Sequence, residues 1–309
     1  MIVTVTPNPS IDRTVEIDRL ERGGLIRAHE ATSEAAGKGL NVSRALHGQG
    51  QDTLAVLPVA RESAATYLAL LADEVPTALV SVLGSVRVNI SLVEPDGTVT
   101  KVNEPGPMLD TSGMEAILAA VASTPPARWI VGCGSLPPGA PTDFYARLAT
   151  FGSADRRVAV DSSGEALLRA AGAGVALVKP NASELAGIAG RPLATLGEAV
   201  DAACELVGRG VGAALVSLGS DGALYVDAGG AVSHAEAAIE DAVNAVGAGD
   251  ALLAGFLASG ADSAALPEAI AWSVAAVRSP GTRMRDVTRA DRDSVVVHAR
   301  VDRDRRLRR

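Results

Sequence analysis

An alternation constrains this chain more than any other feature. Short apolar, β-branched runs recur at residues 2–6, 54–57, 78–83, 129–133, 158–161, 175–179 and 213–218, and segments with helical apolar spacing lie between them at 40–46, 64–71, 114–121, 144–148 and 199–207. Continuous apolar runs read as strands buried on both faces. Strand, helix, strand order then predicts an α/β fold with a parallel sheet, helices on both sides and right-handed crossovers. Two segments break the pattern. Residues 13–17 with the stretch just after them, and 86–102 with the turn Pro95-Asp-Gly97, read as antiparallel strands set apart from the main sheet. A half-exposed sheet inserted in this way commonly forms a lid or a subunit contact. No repeat or Pro- or Ser-rich linker divides the 309 residues, so the expectation is one domain, 1–309, with a discontinuous lid at roughly 12–34 and 86–104.

Composition narrows the partners. With 48% hydrophobic residues, 21% charged residues and mean hydropathy +0.22, the chain has the makings of a packed core. A net charge of −8 and a pI near 5.1 argue against nucleic acid or an anionic membrane as partner and towards small molecules. The longest stretch without a charged residue runs from Trp129 to Thr142 and contains Pro137, Pro138 and Pro141, so no membrane span is expected. Asp12 and Arg13 interrupt the first apolar run, which does not read as a secretory signal, and the expected compartment is the cytoplasm. Cys133 and Cys204 read as buried hydrophobes; with His29, His47, His234 and His298 they suggest no zinc site. Of 28 basic residues only Lys38, Lys101 and Lys179 are lysines, which points to places where an ammonium is needed. The Arg-rich segment 300–309 reads as a frayed, solvated end, with an anionic partner as the alternative.

Four segments could carry chemistry. Asn244-Ala-Val-Gly-Ala-Gly-Asp250 precedes a helical run, so the amides of Gly247, Ala248 and Gly249 would be free to hold an anion and Asp250 would lie in the first turn. Asp250 could merely complement the helix dipole; it could also accept a hydroxyl proton while the amides stabilise a transferring phosphoryl group. Ala36-Gly-Lys-Gly-Leu-Asn-Val-Ser-Arg44 is a second glycine turn, either a plain loop-to-helix junction or a place where Lys38 and Asn41 meet an anionic or polyhydroxyl substrate. It is not a Walker A loop, and no GxGxxG occurs in the chain. Lys179-Pro-Asn-Ala-Ser-Glu184 reads either as a capping box between Asn181 and Glu184 or as a site where Glu184 holds Mg²⁺ through water. Ser217-Leu-Gly-Ser-Asp-Gly222 is a hairpin turn or a backbone cradle for phosphates.

These segments occur in one order with Thr6-Pro-Asn-Pro-Ser-Ile-Asp12 and Gly134-Ser-Leu-Pro-Pro-Gly139. Together they resemble the PfkB branch of the ribokinase-like sugar kinases, in particular the hexose-phosphate kinases related to 1-phosphofructokinase, from Ile2 to about Thr282. The resemblance implies a Rossmann-type three-layer core with an antiparallel β lid, a homodimer formed through that lid, MgATP as phosphoryl donor and a fructose phosphate as acceptor. Fructose 1-phosphate, converted to fructose 1,6-bisphosphate, is the favoured substrate; tagatose 6-phosphate, fructose 6-phosphate or a catalytically impaired sugar-phosphate-binding regulator are the alternatives.

The resemblance also implies roles. Asp250 matches the catalytic base and Gly247, Ala248 and Gly249 the anion hole. Asp12, Gly37, Lys38 and Asn41 match sugar-binding positions, and Arg87 the residue that meets the substrate's existing phosphate from the lid, a task suited to a planar fork of donors. Lys179, Asn181 and Glu184 match the nucleotide and magnesium segment, Ser217, Gly219 and Gly222 a nucleotide loop, and Pro280-Gly-Thr282 a stretch near adenine. Two positions depart from the pattern: Ala36 stands where most members have Gly, and Ala245 where most have Thr. A methyl group at 36 matters only if the backbone there needs positive φ.

Overall fold

The computed structural model describes residues 1–72, 75–239, 241–281 and 283–308. In chain order its strands are β1 (Ile2–Val5), β2 (Ser10–Glu16), β3 (Glu30–Ala36), β4 (Thr53–Ala60), β5 (Thr77–Val82), β6 (Arg87–Val93), β7 (Val99–Asn103), β8 (Trp129–Cys133), β9 (Arg157–Asp161), β10 (Leu177–Val178), β11 (Ala213–Ser217), β12 (Ala223–Asp227), β13 (Val232–Ala237) and β14 (Val295–His298). The α-helices are α1 (Lys38–Gly48), α2 (Ala64–Leu71), α3 (Thr111–Ala122), α4 (Phe144–Ala149), α5 (Gly164–Gly172), α6 (Ala182–Ala189), α7 (Leu196–Val207), α8 (Ala248–Ala258), α9 (Leu266–Val277) and α10 (Arg289–Asp293).

The main sheet has the order β14-β13-β12-β11-β10-β9-β8-β1-β4-β5. From β11 to β5 every neighbour is parallel, and every apolar run singled out in the sequence falls in this part. All four residues of β1 are buried. Their side chains alternate between two layers: Val3 and Val5 join the cluster containing Leu57, Tyr67 and Phe144, while Ile2 joins the one containing Leu46, Trp129, Phe256 and Trp272. Helices therefore cover both faces, as the continuous apolar runs require. In the second layer α8 lies close against α9, because a Cβ at Gly255 would meet Trp272 Cγ at 2.7 Å. The antiparallel extension β12 to β14 was not expected as strands, although the 217–222 segment is the hairpin turn that one of its readings described.

The second sheet has the order β3-β2-β6-β7. Its hairpins β2/β3 and β6/β7 are antiparallel, as expected, but β2 and β6 join in parallel. Ser10, Ile11, Ala35 and Ala36 are buried where this sheet meets the main body, whereas residues 30–33 are exposed. Three further outcomes differ from expectation or sharpen it. Cys204 is exposed on α7, while Cys133 is buried. The Arg-rich segment is docked rather than frayed: Leu307 N donates to Ala194 O at 2.9 Å and Arg305 pairs with Asp221 and Glu236. Among the described residues no helix is long and apolar enough to cross a membrane.

Candidate active site

Two glycine turns bring two helix N-termini together at the carboxyl ends of the parallel strands, where ligands of open α/β sheets bind. Gly37, the residue before α1, has φ 143°, and a Cβ there would lie 2.7 Å from Thr6 Cγ2, so glycine is required on both conformational and steric grounds. Lys38 and Asn41, three residues apart, then share a face of the first turn. Gly247 precedes α8 with φ 81°, and no side chain caps the helix; Ala248 N makes only a long contact, 3.4 Å, to Ala245 O, so the start of the helix can turn its amides to a ligand. Asp250 lies in that first turn, only 8% exposed. Asn41 Nδ2 donates to Asp250 Oδ2 at 2.9 Å and joins the two helices.

Beneath them Asp161, fully buried at the end of β9, receives Lys38 Nζ on Oδ1 at 2.7 Å and pairs with Lys179 Nζ on Oδ2 at 2.9 Å. Lys179 also backs onto α8, since a Cβ at Gly249 would lie 3.6 Å from its Nζ. Burial works to raise the Asp161 carboxyl, but the two ammonium groups outweigh it and hold it below the usual carboxylate range. Burial acts to lower Lys38; Asp161, with help from Glu184 and Asp250, instead holds it above its ordinary value. For Asp250, burial dominates and the charge of Asp161 adds to it, so its pKa is pushed up to about 6 against the pull of Asn41 and the two lysines. The result is a base that ionises near neutrality.

A cavity of about 670 Å³ opens beside this cluster, a volume suited to a nucleotide-sized ligand. Of the residues singled out in the sequence, Asn181, Ser217, Gly219, Gly222, Ala248 and Gly249 line it. Ala245, Leu252, Ile270, Val274 and Val277 supply apolar wall. The two strand-end segments that form its polar side stay adjacent because Ser217 N donates to Pro180 O at 3.1 Å and Asn181 bridges to Ser217. Asn181 and Glu184 do form the capping box: Asn181 Oδ1 accepts from Glu184 N at 2.8 Å and Glu184 Oε2 accepts from Asn181 N at 2.9 Å. The box engages one Glu184 oxygen. The charge of the carboxylate also helps to raise the Lys38 pKa. Among the described residues no group of three or more His, Cys, Asp or Glu side chains forms a metal cage. The Glu184 oxygen outside the capping box is the kind of donor that would hold Mg²⁺ together with waters and nucleotide phosphates.

On the other side, the root of the small sheet carries the remaining predicted residues. Asp12 Oδ1 accepts from Ser10 Oγ at 2.8 Å and from Asn89 Nδ2 at 2.9 Å. Arg87 is paired in register with Ser10, and its Nη1 reaches Glu104 O at 3.5 Å. Its Nε is buried with no protein partner. Burial lowers the Arg87 pKa, and the charge of Asp12 works against that lowering.

Sequence reasoning missed Asp161 as the centre of the charge network, the apolar wall of the cavity and Arg308, which also lines it. An acidic residue closing a buried strand was the available signal for the first; α9, apolar around most of its circumference, was the signal for the second. Ala36 has no positive φ and pairs in register with Ser10, so its methyl group introduces no strain. Ala245 does sit on the cavity wall. Pro280 and Gly281 are not among the lining residues, although Gly281 O accepts from Asn244 Nδ2 at 3.1 Å; Thr282 lies outside the described residues.

Comparison with known proteins places this geometry in context. The 1-phosphofructokinase of Haloferax volcanii is 36% identical over 293 residues, covering 93% of this chain and 94% of that protein. The 1-phosphofructokinase of Bacillus subtilis is 36% identical over 276 residues, covering 89% and 90%. The crystal structure of phosphofructokinase-2 from Escherichia coli in complex with fructose-6-phosphate superposes with a TM-score of 0.83 at 30% identity, covering 94% of this chain and 96% of that one. The sequence pattern of the pfkB family carbohydrate kinases matches residues 5–282, a span that takes in both glycine turns, the Asp161 network and every lining residue of the cavity except Arg308, and the chain belongs to that family.

Proposed function

We propose that this chain transfers the terminal phosphoryl group of ATP to the C6 hydroxyl of fructose 1-phosphate, yielding fructose 1,6-bisphosphate and ADP. The observation that carries the reading is Asp250: a carboxyl raised to about 6, held by Asn41, one residue from Gly249 on the cavity wall. ATP occupies the cavity, with its base against the apolar wall and its phosphates towards Ser217, Gly219 and the start of α8. The amides of Gly247, Ala248 and Gly249 stabilise the charge that spreads over the phosphoryl oxygens in the transition state. Asp250 orients the sugar hydroxyl and takes its proton as the new oxygen–phosphorus bond forms and the bond to the β-phosphate oxygen breaks. Lys38 and Asn41 position the acceptor; Asp12 and Arg87 hold its sugar and its existing phosphate. Glu184 would hold Mg²⁺, which supplies screening of the phosphate charge when bound.

Similarity to two proteins named 1-phosphofructokinase supports the acceptor assignment. We extend the reading to a cytoplasmic enzyme, where ATP and sugar phosphates are met, that pairs through its small sheet; Val99 and Val102 on β7, 48% and 53% exposed, suit such a contact. An acceptor panel assayed with MgATP by coupled ADP release tests the activity. The highest kcat/KM is expected for fructose 1-phosphate. A clear preference for fructose 6-phosphate or tagatose 6-phosphate overturns the acceptor, and ADP release with none of them favours the regulator.

A further inference from the structure

The Arg-rich segment is built into the nucleotide side of the cavity. Its backbone lies along the start of α7: Gly197 N donates to Arg303 O, Leu196 N to Arg305 O, and Leu307 N to Ala194 O, each at 2.9 Å. The Leu307 side chain packs, half-buried, against the core. From this track the Arg305 guanidinium forks onto Glu236, with Nη1 to Oε1 and Nη2 to Oε2 both at 2.6 Å, and Nη2 also reaches Asp221 Oδ1 at 2.7 Å. Asp221 is wholly buried in the short turn Gly219–Asp221, and its other oxygen accepts from Arg308 N at 2.6 Å. A buried carboxylate is costly unless its oxygens are met. Here the distant segment 305–308 meets both, and so fixes the turn that presents Gly219 and Gly222 to the cavity.

Arg308 then extends onto the cavity wall. Its Nη1 donates to Ser220 O at 3.2 Å, while its approaches to Asp221 Oδ1 and Glu236 Oε2 are 3.6 Å, too long for hydrogen bonds. The side chain is 58% exposed. Among the described residues lining the cavity it is the only charged one, and its anchor on Ser220 sets it on the polar side with Gly219 and Ser217. A guanidinium with unengaged donors beside a backbone cradle suits a polyphosphate, to which it can give parallel hydrogen bonds.

We propose that Arg308 binds the nucleotide's phosphates directly, and that Arg305 is the positioning residue that holds Arg308 and the Gly219–Gly222 turn against the cavity. This rests on the cavity being the nucleotide site. Calorimetric binding of ATP, ADP and adenosine, with steady-state kinetics beside it, tests both statements. Loss of a charged hydrogen bond predicts that Arg308→Ala weakens ATP and ADP by about tenfold. Adenosine binding and the fructose 1-phosphate KM should stay within about twofold of the parent. Because Arg308 is largely exposed, this variant should fold. Arg305→Ala should raise the ATP KM without raising that of the sugar phosphate, and Arg305→Lys should restore part of the loss. Ala242→Trp, at an exposed position on the cavity wall, should block all three nucleotides. If Ala242→Trp weakens ATP while Arg308→Ala leaves it within twofold, the role of Arg308 is overturned and the nucleotide site stands. If Arg308→Ala weakens adenosine as much as ATP, its role is structural and the proposal fails. If neither variant changes ATP binding, the cavity is not the nucleotide's and both readings fall.

Discussion

Asn41 Nδ2 donates to Asp250 Oδ2 across 2.9 Å, joining the first turns of two helices whose residues lie 209 positions apart. A donor to the ionised carboxylate favours that form, so this bond lowers the Asp250 pKa, while burial and then Asp161 push it up to about 6. A base must be unprotonated to act. Accordingly, kcat/KM should fall as pH drops through about 6. In Asn41→Ala the acid limb should move to higher pH, whatever the change in sugar KM. A pH–rate profile of the two enzymes checks this, and a limb that stays in place or moves to lower pH contradicts the assignment.

Replacing the base separates catalysis from stability. Asp250→Asn should cut kcat by at least about a hundredfold, the lower end of what general-base catalysis contributes. Its effect on folding has the opposite sign. Because the folded carboxyl titrates at about 6 against 3.8 ordinarily, the native state binds more protons than the unfolded chain between those values, and this group makes the fold less stable as pH rises across that window. Asparagine removes that penalty. At pH 8 the variant should gain on the order of 2–3 kcal/mol, measured by urea unfolding. A variant less stable than the parent there refutes the burial argument.

Legibility in this chain did not simply follow burial, since β12 is buried over its first four residues and was still missed. Strands β1, β4, β8, β9, β10 and β11 were readable because they are covered on both faces and apolar nearly throughout, and the edge strand β5 was readable from its apolar residues although Leu79 and Ser81 are exposed. Strands β13 and β14 are only partly buried, and residues such as Ser233 and Glu236 leave no such run. The glycine turns were legible because they answer a local need for positive φ at Gly247 and Gly37. Relations across the fold were not. Asp161 meets Lys38 from 123 residues away, and Arg305 meets Asp221 from 84. Cys204 could have been placed correctly, since it shares an exposed face of α7 with Asp201 and Glu205.

The two neighbours Ala36 and Gly37 should respond oppositely to exchange of their residue types. Gly37→Ala forces a methyl into Thr6 at a backbone angle that opposes it, and should cost about 1–3 kcal/mol of stability while raising the fructose 1-phosphate KM. Ala36 lies in a strand with ordinary φ, so Ala36→Gly should gain no activity and should cost about 0.5–1 kcal/mol through backbone entropy. Thermal melts and initial rates check both. Higher turnover in Ala36→Gly is the result that contradicts the geometry.

Arg87 offers the sharpest division between the two substrates. Its Nε is buried with no protein partner, its Nη1 has only a long contact to Glu104 O, and Asp12 supplies the nearby negative charge that works to keep it protonated. A guanidinium so placed has donors to give to an incoming phosphate, and neither Arg87 nor any other residue of the small sheet lines the nucleotide's cavity. Arg87→Ala should therefore raise the fructose 1-phosphate KM at least about tenfold, the loss expected for charge-assisted hydrogen bonds, and leave the ATP KM within about twofold. Arg87→Lys, which keeps the charge but loses the planar fork, should fall between them. Equal increases in both KM values place Arg87 in the scaffold and not at the acceptor; an unchanged sugar-phosphate KM removes it from the site, and with it the case for the small sheet as the surface that reads the acceptor's phosphate.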